Sequence, residues 1–124
     1  MSRDYRKLDV FNLADRAVID VYPATYLFPD EERYGLVKQI RRAAVSVPCN
    51  IVEGCARRGE AEYLNFLNIA LGSANETRYL LDLSTRLGIL PGDKSKPLWS
   101  LYTELIAKLQ ALINALSPKT NPKP

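Results

Sequence analysis

The chain has 124 residues, 47% of them hydrophobic and 25% charged, proportions that suit one globular domain and exclude disorder over most of the length. A net charge of +3 and a pI near 8.9 permit contact with an acidic partner but fall short of a dedicated nucleic-acid-coating protein. Histidine is absent, which removes the commonest general base, the usual catalytic triads and most zinc sites.

Residues 1–7 are polar with no apolar run behind them, and no stretch approaches the ~20 apolar residues that span a bilayer, so no membrane partner and a cytoplasmic location are expected. Between residues 7 and 22, Phe11, Ala14, Val18 and Val21 recur at the spacing of one helical stripe. Pro23 is expected to bend or end this helix, and Tyr26, Leu27 and Phe28 ahead of Pro29 read as a connection that still buries its side chains. A second helix, residues 30–56, opens with Pro29, Asp30, Glu31 and Glu32, whose carboxylates favour the positive end of the helix dipole. Its stripe is Val37, Ile40, Ala44, Val47 and Ile51, and Arg57, Arg58 and Gly59 close it. Pro48 interrupts neither side of the stripe, which predicts one bent helix rather than two.

A third helix, residues 60–87, starts with Glu60 and Glu62 and stops before Gly88. Tyr63, Leu67, Ala70, Ala74 and Leu81 form its core stripe, while Phe66, Ile69, Leu80, Leu83 and Leu87 lie on another side. One apolar side satisfies a bundle; the second is expected to meet another copy of the chain. Residues 91–97 read as a loop in which Ser95 caps the fourth helix, residues 96–117, striped by Leu98, Leu101, Leu105, Leu109, Leu112 and Leu116. Residues 118–124 have no apolar content to bury and are expected to form a cationic tail. Four stripes with short connections predict an all-α protein, an antiparallel up-down-up-down four-helix bundle forming a single domain over residues 1–117. Small residues (Ala43, Ala44 and Ser46; Ala70, Gly72, Ser73 and Ala74) predict the closest crossing between the second and third helices.

Cys49 and Cys55 are six residues apart, turned roughly 240° from each other on a helix, so they neither pair locally nor make a CxxC motif. Lys38, Arg42, Arg57 and Arg58 are candidate nucleic-acid-binding cations, a basic patch that the acidic segments Asp30 to Glu32 and Glu60 to Glu62 dilute in a monomer and that matters only if oligomerisation lines it up. Arg41 sits at the edge of the core, about 40° from its helix's stripe. There it either pairs with a carboxylate such as Glu53 or Glu76 or serves a ligand. Bundle di-metal sites rely on Glu-x-x-His pairs, so no metal and no cofactor are expected, and no nucleophile elbow or phosphate loop occurs.

The blocks Phe28-Pro29-Asp30-Glu31-Glu32-Arg33-Tyr34-Gly35-Leu36, Gln39-Ile40-Arg41-Arg42-Ala43-Ala44-Val45-Ser46-Val47-Pro48, Asn50-Ile51-Val52-Glu53-Gly54 and Ala70-Leu71-Gly72-Ser73-Ala74-Asn75-Glu76 resemble the bacterial four-helix-bundle family of proteins encoded in intervening sequences of 23S ribosomal RNA genes. The resemblance runs from Phe11 to Leu116. It implies an up-down-up-down bundle assembled as a five-fold ring. It also implies similarity to the accessory protein of diversity-generating retroelements, a basic pentameric barrel that engages a reverse transcriptase and nucleic acid. Arg41, Arg42, Glu53 and Glu76 stand at motif positions, and the motif leaves open whether they serve fold, ring or ligand. The expectation is therefore a non-enzymatic homo-oligomer, a pentamer by resemblance, whose partners are itself and RNA or another nucleic acid. The alternative is a protein-binding scaffold that engages a nucleic-acid-processing protein without touching nucleic acid.

Overall fold

The computed structural model describes residues 3–118; of the tail expected at 118–124, all but Pro118 lies outside the described residues. Four α-helices follow in order: α1 Asp9–Tyr26, α2 Leu36–Cys55, α3 Glu60–Arg86 and α4 Gly92–Leu116. Short 3-10 turns, Tyr5–Lys7 and Asp30–Glu32, precede α1 and α2, and no strand occurs among the described residues. Each helix packs on the next, α1 also packs on α4, and α2 on α3 is the most extensive pairing. Ser46 meets Ser73 while Gly54 meets Phe66, and Arg78 reaches Thr103 while Thr85 reaches Ser95. In both pairs, residue numbers rise in opposite senses. No described helix is long and apolar enough to cross a membrane.

α2 and α3 bury the stripes that their spacing predicts, from Val37 to Ile51 and from Tyr63 to Leu81. Fully buried leucines such as Leu67, Leu81, Leu105 and Leu109 each contribute roughly 2 kcal/mol by leaving water. α1 and α4 are rotated from expectation. Val10, Ala14, Ala17, Val21 and Thr25 face inward on α1, with Phe11 and Val18 only partly covered. On α4 the buried set is Leu98, Tyr102, Leu105, Leu109 and Ile113, with Leu101, Leu112 and Leu116 at its margin. Both helices carry apolar residues at adjacent positions (Val10 and Phe11, Leu112 and Ile113), so spacing alone does not choose the phase.

Helix limits shift for local reasons. α1 continues through Pro23 to Tyr26; the carbonyl deprived of its bond is that of Ile19, whose side chain is 63% exposed and therefore on the side water reaches. α2 starts only at Leu36, after a break at Gly35, and the Glu32 carboxylate accepts from the Leu36 N–H at 3.3 Å. The acidic run thus caps the helix from the preceding turn instead of lying inside it. Past Pro48, α2 remains one helix. α3 closes on Gly88, at φ +75, with the Ser84 carbonyl accepting from both Ile89 and Leu90. α4 opens at Gly92, where the Pro91 carbonyl accepts from the N–H groups of Lys94 and Ser95 at 3.0 and 2.9 Å. Ser95 is not the cap; its hydroxyl accepts from Thr85 at 2.9 Å.

The segment before α1 closes the far end of α2. The Arg3 N–H donates to the Cys55 carbonyl at 3.1 Å, and its guanidinium pairs with Glu60 at 2.9 Å and lies 3.8 Å from the Tyr63 ring centre. A carbonyl that has no partner within its own helix is thereby satisfied from elsewhere in the chain.

Candidate functional site

α2 carries Lys38, Arg41, Arg42 and Glu53 among the residues singled out in the sequence, and its phase separates them. Lys38 and Arg42, one turn apart, are both exposed on the outward face, with exposed Cys49 between their directions. Arg57 and Arg58 follow the other end of α2, whose last residue, Cys55, is roughly 20 Å along the axis from Arg42 at ~1.5 Å per residue. Arg57 Nη2 donates to Glu53 Oε2 at 2.6 Å, and its guanidinium lies 5.2 Å from the Phe66 ring centre, so this charge is already answered. Lys38, Arg42 and Arg58 make no ion pair among the described residues. Lys38 and Arg42 form one pair, and Arg57, already held by Glu53, stands with Arg58 at a distance, so the four cations do not form one patch.

Arg41 takes partners other than the carboxylates expected for it. Its Nε donates to Thr25 Oγ1 at 2.9 Å and its Nη2 to the Tyr22 carbonyl at 3.2 Å, with the guanidinium 4.3 Å from the Tyr22 ring centre. Thr25 is prepared as the acceptor, because its own hydroxyl proton goes back to the Val21 or Tyr22 carbonyl at 3.0 or 3.2 Å. The reason is angular: Glu53, twelve residues on, is turned about 120° from Arg41 and faces the α3 side with Arg57. Glu76 is exposed and makes no ion pair among the described residues.

The α2–α3 seam is closed by small and hydroxylated residues. Ser46 and Ser73 share a hydrogen bond of 2.8 Å, and Asn50 Nδ2 donates to the Ser46 carbonyl and hydroxyl at 2.8 and 3.0 Å. Thr77 donates to the Ser73 carbonyl at 2.8 Å. The tightest approach is at Gly54, where a Cβ would lie 2.9 Å from Phe66 Cβ and 3.2 Å from the Tyr63 ring. Gly72, expected in this crossing, faces open space.

Of the side chains expected on the interface edge of α3, Ile69 is 43% and Leu87 58% exposed, and Phe66 and Leu83 are half-buried. Leu80 belongs to the core instead, at 6%, because α3 packs on both α2 and α4 and so buries a wider arc than one stripe. Of the connection expected to bury its side chains, only Phe28 does so, at 7%; Tyr26 and Leu27 are each about 80% exposed, as is Tyr34, which sequence reasoning did not single out, at the same α1–α2 corner. Their position before a proline and in a glycine-flanked turn was the available signal.

Burial pushes the Cys55 thiol and the phenols of Tyr63 and Tyr102 above their ordinary values. Tyr102 is fully enclosed near Thr77, and among the described residues its hydroxyl makes no hydrogen bond of good geometry. None of these three groups is poised to titrate near neutrality.

The family model for the 23S rRNA-intervening sequence protein matches residues 6–111. A crystal structure of a protein with unknown function from the S23 ribosomal protein family of Bacteroides thetaiotaomicron superposes with a TM-score of 0.76 at 30% identity, covering 85% of this chain and 95% of that one. No curated protein matches the sequence.

Proposed function

The chain belongs to the family of 23S rRNA-intervening sequence proteins, and on that premise we propose that it is a non-enzymatic, cytoplasmic helical scaffold that associates with copies of itself and holds RNA by charge. Its four helices run up-down-up-down as one antiparallel domain, and copies join through the α3 edge formed by Phe66, Ile69, Leu83 and Leu87, five copies being the number that the family resemblance implies. Lys38, Arg42 and Arg58 then repeat around the assembly and meet phosphates, with Arg57 contributing only after yielding its hold on Glu53. The observation that carries this reading is the absence of an ion pair, among the described residues, at three exposed cations, Lys38 and Arg42 on α2 and Arg58 just beyond it, since most other described cations are paired or stacked. Two free thiols, Cys49 and Cys55, suit a reducing compartment.

Replacing Arg42 and Arg58 together with glutamate tests it: RNA retention falls by more than about tenfold at low salt while the native mass of the assembly is unchanged. Retention that ignores both the substitutions and the salt concentration refutes it. The exposed Tyr26, Leu27 and Tyr34 favour a second reading, a scaffold for a nucleic-acid-processing protein, because tyrosine is enriched at protein interfaces. Under that reading a defined partner is recovered from nuclease-treated lysate and lost on Tyr34→Ala.

A further inference from the structure

Arg41 also lines a cleft of about 290 Å³ at the corner where α1 hands over to α2, together with Thr25, Tyr26, Phe28, Asp30 and Arg33. Its floor is apolar and closed, with Phe28 at 7% and Val37 at 9% exposure, and Tyr26 stands at the rim at 80%. The guanidinium has five N–H donors, of which two are used on Thr25 and Tyr22. Its charge meets no carboxylate within ion-pair distance among the described residues. Two hydrogen bonds and the Tyr22 ring hold it in place, so little side-chain freedom remains to be lost when an anion docks. A fixed guanidinium with spare donors, beside a second arginine, an apolar floor and an open aromatic ring, is complementary to a small planar molecule carrying one phosphate.

Resting on the RNA reading above, we propose that this cleft takes a single nucleotide unit, its phosphate on Arg41 and Arg33 and its base against Tyr26 and the Phe28 floor. The unit is either a free mononucleotide or one unpaired residue of an RNA strand. Asp30 limits the affinity: it faces Arg33 at 4.0 Å, with its own side chain almost fully exposed, so it offsets part of Arg33's charge and leaves Arg41 as the principal anchor. The neighbouring Glu31 and Glu32 oppose a long run of phosphates at the same spot. A stacked helix cannot present a bare base face to Tyr26, so duplex RNA is not a ligand of this cleft.

Titration of the isotopically labelled full chain with uridine monophosphate, uridine and a short oligouridylate, read by amide resonances at low salt, tests the assignment. Uridine monophosphate moves Thr25, Tyr26, Phe28 and Arg33, uridine binds at least about tenfold more weakly for want of a charge-assisted contact, and Arg41→Gln abolishes the titration. Because Arg41 also braces α1 to α2, the exposed-rim variants Tyr26→Ala and Arg33→Gln carry the test without touching the fold; Tyr26→Ala weakens binding by about tenfold and Arg33→Gln by less. Equal binding of uridine, or rim variants that bind as the parent does, overturns the site. If the mononucleotide leaves the cleft unmoved while oligouridylate still binds through Arg42 and Arg58, the site is refuted and the wider RNA reading stands. If oligouridylate fails to bind while the mononucleotide fills the cleft, the site stands as one for free nucleotide and the wider reading falls. An acidic peptide that moves the same resonances with the mononucleotide inert also overturns it.

Discussion

The two flanks of α2 solve the same packing problem in opposite ways. Toward α3, serines, Asn50 and Gly54 bring backbone against backbone, and the Ser46 and Ser73 hydroxyls and the Asn50 amide nitrogen find partners within the seam. Toward α1, a single long side chain, Arg41, reaches across to a hydroxyl and a carbonyl and leaves a cleft beside it. Close packing rewards small residues and tolerates no added volume, whereas a bridging arginine holds two helices at a distance and keeps donors free. One flank is thus built for stability and the other retains binding capacity.

Gly54→Val is the severest challenge to that contrast. The new Cβ meets Phe66 Cβ and the Tyr63 ring inside the helix pair that packs most extensively, so a loss of about 3 kcal/mol is expected, seen by thermal circular dichroism as a fall in melting temperature of about 10 °C. Arg41→Met keeps much of the apolar stem but removes both bonds to α1, and about 1–2 kcal/mol is expected by urea denaturation. Should it cost as much as the glycine change, the flanks do not differ in kind. Ser73→Ala leaves Ser46 with Asn50 as a remaining partner, so about 1 kcal/mol is expected in the same measurement.

Tyr102→Phe sharpens the comparison from the core side: the enclosed hydroxyl makes no hydrogen bond of good geometry among the described residues, so its removal is expected to be neutral or to stabilise by up to about 1 kcal/mol. The smallest effect is with pH. Cys55, Tyr63 and Tyr102 have folded-state pKa values raised by burial, so below their ordinary values both states keep the proton and stability is constant. Above about pH 9 the unfolded chain releases protons that the folded chain retains, and stability declines as pH rises. Melting temperature is expected to be flat from pH 7 to about pH 9 and to fall beyond it.

The seam was legible in the sequence because α2 and α3 place small and apolar residues at unambiguous helical spacing. α1 and α4 were not, since Phe11 beside Val10 and Leu112 beside Ile113 permit two phases, and only the neighbours decide between them. Arg41 was recognisable as a charge at the core's edge in need of a partner. That its partner is Thr25 was hidden, because the hydroxyl's inward direction depends on α1 continuing through Pro23, where local propensity favours an end. Leu80 shows the converse: its side of α3 is apolar for the protein's own interior, a distinction that periodicity cannot make for a helix with neighbours on two sides.

The bonds from Arg3 to Cys55, Glu60 and Tyr63 bear on the order in which the molecule is made. On a ribosome adding about 5–20 residues per second, the first helix leaves the tunnel seconds before the residues that anchor the segment ahead of it. Until then Arg3 has nothing to hold, and the early stretch stays free to search. Closure at that corner is therefore a late event in biosynthesis, set by when the third helix arrives and not by when the first one forms.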